Sequence, residues 1–468
     1  MERLIGERLK EHHGITDEQL KLALERQRLQ GGRLGTNLAA LGFLTEEELS
    51  TVLRLDPPVP DSLEETGLTL SFVSDLVLKH LLVLGDFTSR DVAERVKLPL
   101  SIIEQALDNL RHDHFIDAKG ASSPINMSVR YAITDPGKRH ALELLLVSRY
   151  VGPAPVTLEA YRHMAEVQTV KNIMVGVEDV KQAFSHIIVS DRMLSRLGPA
   201  ISSGRAIFLY GPPGNGKTTI AETIAKVLPD NIYVPYAIMV GDDIITMYDP
   251  VSHQRVDESQ LKVSIDQRWV PIRRPVVMTG GELTLEMLDL EFNPIAKYYE
   301  APLQMKANNG LFIVDDFGRQ RVDPQHLLNR WIVPLERRTD FLSLQNGMKF
   351  EIPFDQLIVF STNIEPKKLV DEAFLRRIRY KILIDHPTES EYGEIFRKIC
   401  SANSIAFRQD VFDYLLDNFY RRLDVKLNAC HPRDLVDHII DEAHYHAHAP
   451  ELTRENITFA WENYFVQL

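Results

Sequence analysis

Short apolar runs alternate with helical periodicities along most of the 468-residue chain. Residues 206–210, 232–234, 311–314 and 357–361 are apolar runs of strand length, bounded by glycine, proline or polar positions. Helical segments separate them, so the C-terminal two-thirds predicts an α/β fold built on a parallel sheet. After His386 and Pro387 the periodicity is helical to the end, which predicts a small helical lid. The first 56 residues repeat at an offset of 29: Gly6, Leu9, Leu20, Leu24 and Gln27 recur as Gly35, Leu38, Leu49, Leu53 and Asp56. Each copy predicts a short helix, a glycine turn at Gly14 or Gly42, a capping Thr16 or Thr45, and a second helix.

Between these parts, helices over 71–84, 89–96 and 101–112 precede strand-like runs at 115–117 and 129–133, the spacing of a winged helix. Ile102, Ile103, Ala106, Leu107 and Leu110 give the third helix one apolar face. The expected organisation is a helical two-repeat domain (1–56), a linker (57–67) and a winged-helix-like domain (68–148). A second linker (149–157), a nucleotide-binding core (158–387) and the lid (388–468) follow. Both linkers are assigned from proline-rich composition.

A chain this long exceeds one core, in keeping with about three domains. Its 44% apolar and 25% charged composition is that of a folded soluble protein. A net charge of −13 points away from wrapping in nucleic acid. From 69 to 146 there are nine Lys/Arg against ten Asp/Glu, and the third helix sets Glu104 and Asp108 against Arg111. A DNA reader concentrates positive charge on that helix, so a protein-contacting or spacer role is expected. Two cysteines, Cys400 and Cys430, suit a reducing cytoplasm. The charged start MERLIGERLKEHHG does not read as a signal peptide, and no apolar stretch reaches the length of a membrane span. Any work at a membrane is therefore expected to go through a partner.

The chemistry concentrates at Gly211, Pro212, Pro213, Gly214, Asn215, Gly216, Lys217 and Thr218, followed by Thr219. A glycine loop between a buried strand and a helix turns backbone N–H groups toward an anion, and the helix adds its positive end. Lys217 is expected to reach the β- and γ-phosphates, and Thr218 to hold Mg²⁺. The 311–314 run ends in Asp315 and Asp316. A strand that delivers carboxylates at its tip supplies the second half of such a site: Asp315 for the metal, Asp316 to polarise an attacking water. The run at 357–361 ends near Asn363, placed to hydrogen-bond the γ-phosphate or that water.

In this order the motifs resemble the AAA+ ATPase superfamily over roughly the last 300 residues. GPPGNGKT matches Walker A, LFIVDD Walker B and IVFSTN the sensor-1 strand. FLRRI matches the arginine-finger position and HPRDL the sensor-2 position. The resemblance implies ATP and Mg²⁺ as cofactors and a homo-oligomeric ring such as a hexamer. It casts Arg377, or its neighbour Arg376, as a finger reaching the next subunit, and Arg433 as the lid arginine that senses ATP. Asp316 stands where the family usually has Glu, a methylene longer, which favours slower hydrolysis. The surplus between the Walker motifs, with APLQMKANNGLFIVDD, is similar to the helix-insert branch that holds MoxR-type chaperones. Gly280 and Gly281 read either as a pore loop or as a simple turn, and Arg337 and Arg338 as a subunit contact or a solvated helix end.

The stretch RLGTNLAALGFLTEEELSTVL resembles half of the N-terminal domain of type II secretion and type IV pilus ATPases, where paired copies bind cyclic di-GMP. Arg33, Leu34, Gly35, Leu38 and Gly42 carry the match. Leu4 stands where the first copy should have its arginine, and Asp56 replaces the second glutamine. His444, His446 and His448 do not form a metal pattern. The reading that results is a cytoplasmic ATPase that remodels a protein client or a secretion or pilus machine, its N-terminal repeat read either as a cyclic di-GMP regulatory site or as a helical docking module that has kept the fold and lost the ligand. The rivals are a DNA-acting ATPase and a weakly hydrolysing nucleotide switch.

Overall fold

The computed structural model describes residues 15–30, 34–44, 56–123, 126–171, 173, 175–228, 231–257 and 264–465. At its centre lies a five-stranded, all-parallel sheet. Its spatial order is Val276–Thr279, Leu311–Val314, Leu357–Thr362, Ile207–Tyr210 and Tyr380–Leu383. Successive side chains alternate across it, as the pleat requires. Phe208, Phe312 and Phe360 pack with Phe317 and Trp331 on one face, and Ile207, Leu209, Ile313 and Val359 with Ile220 and Ile224 on the other. Coverage of both faces explains why the inner strands read as unbroken apolar runs. The fold is α/β, built on a parallel sheet covered on both faces.

The run at 232–234 is a strand, but it lies outside this sheet. Asn231–Pro235 pairs antiparallel with Trp269–Arg273, and its Ile232 and Val234 belong to a second core. A parallel-sheet place for it is thus corrected, because apolar continuity reports burial and not which core provides it. Around that core stands a β-rich unit. Its sheet runs Glu291–Asn293, Tyr298–Glu300, Asp243–Thr246, Ala237–Val240, Val156–Thr157, and the hairpin Thr339–Ser343/Lys349–Pro353 packs against it. Most of the surplus between the Walker motifs folds here.

Upstream, helices Leu70–Leu81, Ser89–Val96 and Leu100–His112 pack on a three-stranded sheet of Phe87–Thr88, Asn126–Ile133 and Ile116–Ser123. Ile102, Ile103, Ala106, Leu107 and Leu110 are all buried. Thr69, Thr88 and Thr134 each cap a helix through the hydroxyl, contributing about 1 kcal/mol apiece. This core continues into Ala237 and Ile244 of the β-rich unit.

The two proline-rich segments expected as linkers are built into that junction. Pro57 and Pro60 are buried, and Val156–Thr157 adds a parallel strand beside Ala237–Val240. Arg268, 5% exposed at its side chain, forms an ion pair with Asp266 at 2.8 Å. It also donates to the Thr66 and Pro155 carbonyls at 3.1 and 3.2 Å, one from each segment. Asp56 accepts a 2.6 Å bond from the Tyr233 hydroxyl, so its carboxylate is engaged with the β-rich unit.

At the N-terminus, Thr16 and Gln19 cap helix Asp17–Gln30 reciprocally. Helix Leu34–Ala40 ends at Gly42, whose φ of +73° closes a bond from Phe43 N to the Leu38 carbonyl. Leu34 and Leu38 serve a small core with Ile15, Ala23 and Leu44 and do not face outward. Arg33, Thr45 and the repeat positions before Ile15 and from 45 to 55 lie outside the described residues. The lid begins at a Thr388/Glu391 capping box and comprises helices Glu389–Ala402, Gln409–Leu415, His431–Tyr445 and Arg454–Tyr464. The second continues as a π-helical turn, Leu416–Arg421. No helix among the described residues is long and apolar enough to cross a membrane.

Candidate nucleotide site

The glycine loop leaves the strand Ile207–Tyr210 and enters helix Lys217–Ala225. Gly211 has a φ of +148°, and a Cβ there would overlap the Ile384 carbonyl oxygen. Gly214 (φ +75°) leaves no room either: a Cβ would come 2.6 Å from Cys430 Sγ. The left-handed Gly216, φ +79°, turns the chain into the helix, and no side chain caps the helix's first turn there, whose N–H groups lack intrahelical partners.

Lys217 is buried, and its ammonium donates to the Gly211 and Pro212 carbonyls at 3.1 and 2.8 Å. Burial lowers its pKa, while Asp315 and Asp316 act in the opposite direction and favour the cation. The Thr218 hydroxyl donates to Asp315 Oδ2 at 2.7 Å, and Asp315 Oδ1 accepts from the Asp316 amide at 3.0 Å. Asp316 adopts a φ of +47°. Its carboxylate accepts from Asn363 Nδ2 at 3.2 Å. Strand Leu357–Thr362 lies between the loop strand and the acidic strand, so Asn363 emerges beside both. These donors fit a magnesium nucleotide: amides and a cation for phosphate, a hydroxyl and a carboxylate for a hard divalent ion.

Other predicted positions are placed differently. The Asn215 side chain is buried and faces the lid, its Nδ2 3.4 Å from Asn428 Oδ1 and its Oδ1 accepting from Ala429 N at 3.0 Å. Cys430 N donates to the Gly214 carbonyl at 2.8 Å. Asn428, Ala429 and Cys430 had no local sequence signal, because they meet the loop only through the fold. Arg433 is exposed in the first turn of helix His431–Tyr445, and Thr219 is exposed in the loop helix. Arg377 pairs with Glu336 at 2.6 Å, whereas the more exposed Arg376 approaches Glu372 at 3.8 Å. Gly280 and Gly281 form a turn in which Glu282 accepts from Gly280 N at 2.8 Å and Thr279 Oγ1 at 3.1 Å. Gln320, overlooked in the sequence, ties that turn to the acidic strand by donating to the Gly280 and Asp315 carbonyls. Arg338 is structural, bonded to the Gly204 carbonyl and to Asp355.

Residues 207–267 match the ATPase family associated with various cellular activities (AAA). The comparisons support the AAA+ ATPase superfamily. Residues 388–463 match a domain of unknown function, DUF8689. A RuvB-like helicase 1 of Aedes aegypti is 35% identical over 126 residues, 27% of this chain and 25% of that protein. A probable spastin homologue of Brugia malayi is 24% identical over 245 residues, 50% and 41% of the two chains. The chain spans less than half the length of the curated relatives it matches. Among solved structures, a Thermotoga maritima RuvB variant overlaps 62% of this chain and 70% of its own, at 14% identity and a TM-score of 0.34.

Proposed function

We propose that this chain is an AAA+ ATPase that turns over MgATP at the subunit boundaries of a homo-oligomeric ring, hexameric by resemblance. The cycle serves to remodel a protein client or a secretion or pilus-type machine. The observation that carries the reading is the 2.7 Å Thr218–Asp315 bond, which brings the glycine loop and the acidic strand to one point beside Lys217. In this reading Lys217 and the loop amides hold the triphosphate, and Thr218 and Asp315 hold Mg²⁺. When bound, Mg²⁺ neutralises charge on the transferring phosphoryl group. Asp316 orients and polarises the attacking water, with Asn363 fixing the carboxylate. Arg377 exchanges Glu336 for a neighbour's phosphate, and Arg433 couples the nucleotide to the lid. Cyclic di-GMP at the N-terminal helices is the proposed regulator; calorimetry on the full chain, comparing wild type with Arg33→Ala, tests it.

Phosphate release under saturating MgATP tests the engine. Arg377→Ala should retain nucleotide binding and lose turnover, and mixing it with Lys217→Ala subunits should restore part of the rate. Unaltered turnover in Arg377→Ala removes it from the finger role. A DNA-acting ATPase is the second reading, favoured by the similarity to a protein named as a helicase. The net charge of −13 opposes it. Anisotropy of labelled duplex at low and high salt separates the two.

A further inference from the structure

A single hydrogen-bonded chain runs from the glycine loop into the middle of the lid. Asn215, 5% exposed, presents its amide to Asn428 Oδ1 at 3.4 Å. Asn428 Nδ2 lies 3.2 Å from His431 Nε2. His431 Nδ1 lies 2.9 Å from the Tyr420 hydroxyl, and that hydroxyl lies 2.6 Å from Tyr392 Oη. The directions are mutually consistent. Asn428 donates to Nε2, so the ring proton sits on Nδ1 and goes to Tyr420, which can donate onward to Tyr392. Burial holds His431 neutral, with its pKa drawn down to about 4, so the acceptor at Nε2 is retained at neutral pH. Each member stands on a different piece: Tyr392 on the first lid helix, Tyr420 on the π-helical turn, His431 at the start of the third helix.

We infer that Asn428, oriented by His431 and Tyr420, is a positioning residue that locks the glycine loop to the lid, so that nucleotide in the loop is felt by three lid helices. The inference rests on the nucleotide reading proposed above. Two features make the junction sensitive to small movements. Backbone bonds from Ala429 and Cys430 close on Asn215 and Gly214, and Cys430 Sγ fills the space where a Gly214 side chain would stand. Any displacement of the loop must therefore move the 428–430 segment or break these bonds. A buried polar chain is costly when half-satisfied, so loss of one link destabilises its neighbours and makes the response cooperative. The π-helical turn places Tyr420 between Tyr392 and His431, a use of irregular helix often found at working sites.

Trp461 supplies the readout. Its ring stands edge-on to Tyr420 with centroids 4.8 Å apart, whereas Trp269 and Trp331 belong to other cores. Full-length protein labelled with 5-fluorotryptophan should show a shifted Trp461 fluorine resonance on addition of Mg·AMP-PNP, assigned through Trp461→Phe. In Asn428→Ala, and in Tyr420→Phe, which removes one oxygen and keeps the ring packing, that shift should collapse. Turnover number should fall about tenfold with KM within about threefold, a split that loss of fold would not give. A wild-type protein that binds nucleotide without a Trp461 shift, or a full shift in both variants, overturns the lock alone. A wild-type protein that binds no nucleotide overturns the underlying reading and the lock with it.

Discussion

Asp316 holds a left-handed backbone, φ +47°, at the tip of the acidic strand. For a residue with a β-carbon this costs roughly 1–2 kcal/mol, and Asp tolerates it better than most. The strain aims the carboxylate at Asn363, and the Asp316 amide is bonded by Asp315. Asp316→Gly should therefore keep or slightly raise the melting temperature while abolishing phosphate release. Asp316→Asn should lower turnover about 100-fold or more with nearly unchanged nucleotide affinity. If Asp316→Asn turns over at the wild-type rate, the residue only shapes the loop. At this scale the octet from Gly211 to Thr218 was legible because its glycines, lysine and threonine act through local backbone. The contacts of Asn215 were not, since Asn428 lies 213 positions away and carries no motif of its own.

Helices and inner strands were read from periodicity, and the five apolar positions of Leu100–His112 are all buried as that face required. Truncating one of them, Leu107→Ala, should cost about 2–5 kcal/mol in denaturant unfolding, while Glu104→Ala on the outer face should change little. Edge strands were missed for a physical reason. Val276 and Met278 are 40% and 47% exposed, so the first strand is a three-residue apolar run only half buried, and Lys381 interrupts the second, Tyr380–Leu383. The lid adds a pH dependence. His431 has its pKa lowered from 6.5 to about 4 by burial, so the unfolded chain takes up the proton first as pH falls. The stability it contributes is complete above about pH 6.5 and declines between 6.5 and 4. Thermal melts across that window should fall less steeply in His431→Gln than in wild type; equal slopes would mean that His431 is not the group responsible.

On the scale of the molecule, the buried Arg268–Asp266 pair joins pieces that composition had separated by linkers. Arg268 reaches carbonyls on both proline-rich segments, and the upstream three-helix core runs into the β-rich unit without a break. Arg268→Ala leaves a buried carboxylate unpaired and should cost about 3–5 kcal/mol. Hydrogen exchange should then rise in both segments together, around Thr66 and around Pro155; protection lost in one alone would show that the junction is not a single unit. The parallel sheet was foreseeable as a class, but of the β-rich unit only the 232–234 run and the excess length were visible, because its other strands are short and come from separate parts of the chain.

All of this converges on whether the glycine loop holds a magnesium nucleotide. Isothermal titration calorimetry of the full chain with ATP, with and without Mg²⁺, measures it directly in wild type and Lys217→Ala. The account predicts saturable binding by wild type, strengthened by Mg²⁺, and loss of about 100-fold or more in affinity in Lys217→Ala. Equal affinities in the two proteins, or no heat from wild type at any ATP concentration, would contradict it.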